Sequence, residues 1–363
     1  MKLVSNFGPS FDAPTSHEYR IWMLKEEVKD VQSMMKEHQK AWKRYGCTIM
    51  LDGWSDGKTR CLINFLVNSP QSTWFLKSVD ASTSIKNGDF LYGYLDDVIH
   101  EIREENVVQV ISDSASNCKN AGAKLMERKQ KVWWTPCAAH CIDLMLEDIS
   151  KIAWFDDTLK RARISKYLYK HQWVLTLMRK YTNNSEILCP AVIRFATSFL
   201  TLQSLQKQKE NLVTLFTSQE WSESTYAKSH EAKLAKHHVL HDRKFWGRAS
   251  FCIKGVLLLV CVLREVHSEE RPPMGFIYEL MDAAKEKIAS NLNKVEKKYM
   301  LIWRKIDRRW DDRLHQPLHA VGYYLNPKFQ YEDNFSNTNV RNGLFACMDM
   351  MLGKGKEREE ADV

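Results

Sequence analysis

Between residues 18 and 44, apolar positions recur every three or four residues, at Ile21, Leu24, Val28, Val31, Met34 and Met35, with charged residues between them. That period predicts an amphipathic helix. At residue 47 the period changes. Three short apolar runs follow: "CTIMLDGW" (47–54), "CLINFLVNS" (61–69) and "TWFLKSVDAS" (73–82). The turn residues of "SDGKT" and Pro70 separate them, which predicts a three-stranded antiparallel meander. A helix fits Leu91, Leu95, Val98, Ile99 and Ile102. The strand "VVQVIS" (107–112) comes next, then a helix over about 117–129 and a fifth strand in "KVWWT". Pro136 opens a further helix through Ile142, Met145, Leu146 and Ile149. The order β-β-β-α-β-α-β-α predicts a mixed sheet ordered 3-2-1-4, covered by helices, with right-handed crossovers.

Beyond about residue 155 the strand pattern fades. Helices are predicted over 156–182, 196–215, 226–242, 245–268, 274–294 and 296–315, and a turn at "SEERPPMG". The expected organisation is an arm and helix (1–45), a first α/β domain (46–155), a helical domain (156–345) and a disordered tail (346–363). The longest apolar run, "GVLLLVCVL" (255–263), falls far short of the ~20 residues that span a bilayer, so it reads as a buried helix. The first sixteen residues have no apolar core of signal-peptide length. With 44% hydrophobic residues, 12 Trp and 13 Tyr, the chain has the material for a packed core and not for disorder. Nine cysteines without framework spacing read as reduced thiols, hence an intracellular protein, nuclear or cytoplasmic. The formal charge of +8 is compatible with a nucleic-acid partner without specifying one.

The candidate chemistry starts in "VVQVISDSASN", where a strand of β-branched residues ends at Asp113. Asp52 closes the first strand. In a sheet ordered 3-2-1-4 these two carboxylates lie side by side at one edge, where both stay ionised only with a cation between them. Mg²⁺ or Mn²⁺ suits such an oxygen site, held weakly by two acids. Two such ions can clamp the attacking and leaving oxygens of a phosphodiester, but that chemistry calls for a third carboxylate. The plain alternative is that Asp52 belongs to an Asp-Gly turn and that "SDSASN" caps the next helix.

Five segments in one order, "CTIMLDGWSD", "VVQVISDSASNCKNAG", "WWTPCAAHCIDLMLEDI", "IRFATSFLTLQSL" and "IDRRWDDRLHQPLHAVGYYLNP", resemble the core of plant hAT-superfamily transposases, over about residues 16–345. The resemblance implies an RNase H-like catalytic fold interrupted by a large helical insertion that helps hold the transposon end. It makes Asp52 and Asp113 the first two acids of an Asp-Asp-Glu metal site. It makes Cys137 and His140 the family's Cys-x-x-His pair, which handles DNA ends. The sequence also departs from that pattern. The third acid normally follows the insertion in a Ser-x-x-Glu-Arg context, and Glu332, Glu357, Glu359 and Glu360 do not sit in one. The zinc finger that normally precedes the core is absent, the first cysteine being Cys47. The chain is thus expected to be truncated at both ends and catalytically incomplete.

Other residues weigh less. Cys137, His140 and Cys141 in "PCAAHC" crowd one helix and cannot close a zinc tetrahedron, so no zinc is expected. His237, His238 and His241 lack the Glu of a metalloprotease motif and read as a polar helix face. In "KRARISKYLYKHQW" (160–173), Arg161, Arg163, Lys166 and Lys170 could meet phosphates while Tyr167, Tyr169 and Trp173 stack. An amphipathic helix with a solvated basic side explains the same pattern. Trp303 and Trp310 read as core. The leading expectation is a transposase-derived nuclear protein with residual DNA binding. Protein partners or a homo-oligomer are compatible with it, and no membrane partner is expected. A domesticated protein-interaction scaffold and a decayed gene fragment are the two other readings.

Overall fold

The computed structural model describes residues 14–57, 60–83, 87–189, 195–268, 271–329 and 338–353. Backbone contacts separate two compact units, Met1–Thr135 and Pro136–Val363. In the first, a short helical turn (Ser16–Glu18), closed by a reciprocal Thr15–Glu18 cap, runs through a wider π turn (Tyr19–Met23) into α1 (Leu24–Tyr45). Gly46 ends α1 in the left-handed region (φ +76°), which L side chains rarely adopt. A Cβ there would lie 2.6 Å from Val108 Cγ2.

The strands β1 (Cys47–Ser55), β2 (Cys61–Asn68) and β3 (Thr73–Asp80) form the expected meander. After α2 (Gly88–Ile102), β4 (Val107–Ser112) returns parallel to β1. Helix α3 (Ser116–Arg128) and the short β5 (Trp133–Pro136) complete the α/β unit. The sheet order is β3-β2-β1-β4-β5. Alternation in β1 and β2 buries Cys47, Ile49, Leu51, Ile63, Phe65 and Val67 on one face. Leu91, Leu95, Val98 and Ile99 of α2 and Ala121 and Leu125 of α3 join them in a single core. At ~25 cal/mol per Å² of apolar surface, each fully buried Leu, Ile or Phe contributes about 1.5–3 kcal/mol.

Two expectations about β1 need correction. The Asp52-Gly53 dipeptide is not a turn: it pairs with Asn64 and Ile63 of β2, and the strand runs on to Ser55. Asp52 therefore lies inside β1, not at its end. The reversal comes later, where the Asp56 carboxylate accepts from the Arg60 backbone N–H at 2.9 Å.

The second unit is helical: α4 (Ala138–Ser150), α5 (Ala153–Arg161), α6 (Ile164–Lys170), α7 (Gln172–Tyr181), α8 (Phe195–Lys207), α9 (Lys209–Thr217), α10 (Gln219–Glu223), α11 (His230–Leu240), α12 (Arg243–His267), α13 (Ile277–Asn291), α14 (Glu296–Arg309), α15 (Pro317–Tyr324) and α16 (Thr338–Leu352). The run 255–263 is the buried centre of α12, and no helix among the described residues is long and apolar enough to cross a membrane. The structure departs from the sequence-based organisation in four places, one being the helix expected over 196–215, which breaks at Gln208 into α8 and α9. Helix α4 buries Ile142, Met145, Leu146 and Ile149 in the core of the second unit, so the boundary falls at 135/136 and not at 155/156. The single helix expected over 156–182 is three, because buried positions jump from Leu168 to Val174 and an extended His171 resets the phase. Residues 346–352, expected in a disordered tail, belong to α16, which buries Val340, Gly343 and Cys347. Residues 354–363 and the segment holding Glu332 lie outside the described residues.

Candidate functional site

The register of β1 on β4 sets up the carboxylate edge. Thr48 pairs with Gln109, Ile49 with Val110 and Met50 with Ile111, an offset of 61 residues (109 − 48). Carried two positions further, the same offset levels Asp52 with Asp113. Alternation puts Asp52 on the face of the sheet opposite the buried set, with Thr48, Met50, Gln109 and Ile111, and Asp113 directly follows the end of β4. Asp52 is exposed and Asp113 half-buried.

A polar ladder crosses this face. The Thr48 hydroxyl lies 3.3 Å from Gln109 Oε1, and Gln109 Nε2 donates to the Thr135 hydroxyl at 2.6 Å. Gln109 and Thr135 are buried, so each polar group needs the other. The ladder ties β1, β4 and β5 together just below the aspartates. Sequence reading missed it. Its one signal was a lone glutamine inside the apolar run "VVQVIS". On the opposite face, Trp134 Nε1 donates to the Ser112 hydroxyl at 2.9 Å, and a Cβ at Gly122 would lie 2.2 Å from the Trp134 ring. Ser112, just before Asp113, is thereby fixed. Helix α3 begins after Ala115, whose side chain does not cap it, and the Asn117 side-chain oxygen accepts from the Cys118 backbone N–H at 3.0 Å.

The oxygen donors fit a hard cation, which commonly takes one or two carboxylates and keeps several waters. Asp52 and Asp113 would hold it. Among the described residues no group of three or more His, Cys, Asp or Glu side chains is placed to hold a metal. The candidate third acids Glu332, Glu357, Glu359 and Glu360 lie outside those residues.

The basic stretch lines a groove of about 230 Å³ in the second unit, between α5–α6 and α11. Its cations are not equivalent. Arg161 is held by Asp242 and by Asp157 (2.9 Å), and Lys170 by Glu231 (2.7 Å). Arg163 and Lys166 are exposed and have no ion pair among the described residues. Nor are the aromatic residues free to stack on bases. Tyr167 is buried, the Tyr169 hydroxyl donates to Glu186, and Trp173 stacks on Tyr226 with centroids 5.3 Å apart. Trp303 and Trp310 pack against the core of the second unit, as expected. Of the histidines, His238 sits 3.3 Å from Asp242. Burial holds its imidazole below the usual range, against the opposing pull of Asp242.

Residues 14–164 match the family described as a domain of unknown function, DUF659. That domain is found in hAT-type transposases. No curated protein matches the chain.

The DUF659 segment takes in the five-stranded sheet, both aspartates and α4, and it ends at the first residue of α6. Cys137 and His140 lie within it. Cys137 immediately precedes α4 and His140 is in its first turn, both half-buried, while Cys141 is fully buried. The contact pattern assigns these residues to the second unit and Asp52 and Asp113 to the first. Most of the basic groove lies beyond the DUF659 segment.

Proposed function

We propose that the chain derives from a hAT-type transposase, that its sheet is an RNase H-like core and that its helical part is the inserted domain of that family. One observation supports this reading: β1, which holds Asp52, pairs in parallel with β4, which Asp113 directly follows, inside the segment matched to a domain of hAT-type transposases. Asp52 and Asp113 bind Mg²⁺ or Mn²⁺ weakly. Such an ion, when bound, supplies positive charge for a phosphodiester oxygen; the protein's part is to supply one carboxylate from β1 and one from just beyond the neighbouring β4. On this reading the chain binds DNA in the nucleus and cuts it poorly or not at all, since among the described residues no third acid joins these two. Arg163 and Lys166 contact the phosphate backbone, with Cys137 and His140 nearer the DNA end.

Two assays test this. In fluorescence anisotropy with duplex DNA, Arg163→Glu with Lys166→Glu lowers affinity at least tenfold. No change would remove the groove from the reading. In a strand-cleavage assay with Mn²⁺ on transposon-end DNA, turnover that Asp113→Ala abolishes would show the chain to be a competent nuclease, against this proposal. A second reading, a protein-interaction scaffold, is favoured by the exposed apolar stripe on α1. Association that persists in high salt and ignores the groove variants would support it.

A further inference from the structure

Helix α1 carries one seam of side chains, at Leu24, Val28, Val31, Met35, His38 and Trp42, spaced alternately four and three residues apart. That spacing averages 3.5 residues, the repeat of a left-handed coiled coil. The lower half of the seam already has a partner in its own unit. Trp42 is 2% exposed in the core, Met35 packs against the same core, and the His38 ring lies 5.0 Å from Trp74 of β3. The upper half does not. Leu24 is 57%, Val28 45% and Val31 48% exposed, with Met34 at 62% beside them and Ile21 and Trp22 in the preceding turn also exposed.

We propose that this upper seam, residues 21–34, is a self-association surface whose occupant is the same helix of a second copy of the chain. Three observations select that occupant. First, the spacing matches a partner helix with the same 3.5-residue repeat, and a second copy supplies one. In the heptad, Val28 takes the a position and Leu24 and Val31 the d positions; β-branched residues at a with Leu at d favour two strands. Second, the area suffices. Six large apolar side chains about half exposed offer on the order of 500 Å² per helix, at ~150–250 Å² for an aromatic such as Trp22 and less for the five others. Two such faces give about 1,000 Å², the size at which an interface becomes credible as a weak dimer contact. Third, the charges do not suit DNA or an anionic membrane. Residues 16–45 carry seven Lys or Arg against five Asp or Glu. Lys29 pairs with Glu26 and Lys40 with Glu37, leaving little net basic field.

Sedimentation velocity on the full chain from about 1 to 100 µM tests this. The wild type shows a monomer–dimer equilibrium in that range. Val28→Glu with Val31→Glu weakens dimerisation at least 100-fold, with the far-UV circular dichroism unchanged because both side chains are exposed. Lys29→Glu, off the seam, leaves the equilibrium as it was. If the double variant loses helicity, Val31→Gln gives the same readout with less disturbance. A wild type that stays monomeric at 100 µM overturns the proposal. So does a dimer that survives the seam variants, since another surface must then hold it.

Discussion

At the scale of single residues, the structure separates side chains that support the fold from those that face outward. Arg161 and Arg163 are two residues apart and alike in sequence. Burial works against the charge of Arg161, but hydrogen bonds to Asp242 and Asp157 more than offset it and raise its pKa above the ordinary value. Arg163 faces solvent. Arg161→Ala is therefore expected to destabilise by roughly 1–3 kcal/mol in urea titration, because it leaves two carboxylates short of a partner. Arg163→Ala leaves the urea midpoint in place and lowers only DNA affinity. Gly46 gives a second contrast. Its φ is left-handed, and an alanine Cβ there would meet the Val108 methyl at 2.6 Å. Gly46→Ala is thus expected to cost about 1–3 kcal/mol by the same measurement. Gly53, with nothing within 4 Å, accepts Ala with little change.

At the scale of elements, one ion pair clamps α4 to α14. Arg309 Nε and Nη2 donate to the two Asp148 oxygens at 2.8 and 3.2 Å. Burial pushes the Asp148 carboxyl up, but the Arg309 guanidinium outweighs it and holds the group below its usual range. A depressed folded-state value means that the unfolded chain binds the proton more readily. The stabilisation is thus complete above the ordinary carboxylate pKa of about 3.9 and is lost as pH falls through the lower folded value. Urea unfolding between pH 6 and 3 is expected to show wild-type stability declining below about pH 4. In Arg309→Gln, stability is lower at pH 6 and its decline below pH 4 is shallower. An identical acid limb in both proteins would show that the pair contributes no linkage.

At the scale of the whole molecule, the formal charge of +8 comes from 53 basic and 45 acidic residues. Intramolecular pairs absorb part of the basic excess at the groove itself. DNA binding is therefore expected to be weak and to involve few phosphates. The slope of log K against log salt is about −0.9 per phosphate contacted, so a value near −2 to −4 is predicted for duplex DNA. A slope near −8 would mean that a wider basic surface than this groove takes part.

The alternation in "CTIMLDGW", "CLINFLVNS" and "VVQVIS" was enough to specify the strands and, with short turns between the first three, the meander, because a period of two and short turns leave few ways to bury one face. Asp52 and Asp113 stood out as carboxylates at the ends of such runs, although β1 continues past Asp52 to Ser55. Sequence alone did not decide what surrounds them. Whether Asp-Gly turns or pairs depends on Asn64 and Ile63 across the ladder. Whether α4 belongs with the sheet or with the helices depends on which core takes Ile142 and Met145. Which lysines and arginines remain open to a ligand depends on carboxylates as distant in sequence as Asp242 and Glu231. Local pattern sets the elements because it acts through neighbouring residues. Pairing, burial and charge neutralisation act between residues that are far apart in the chain and meet only once it has folded.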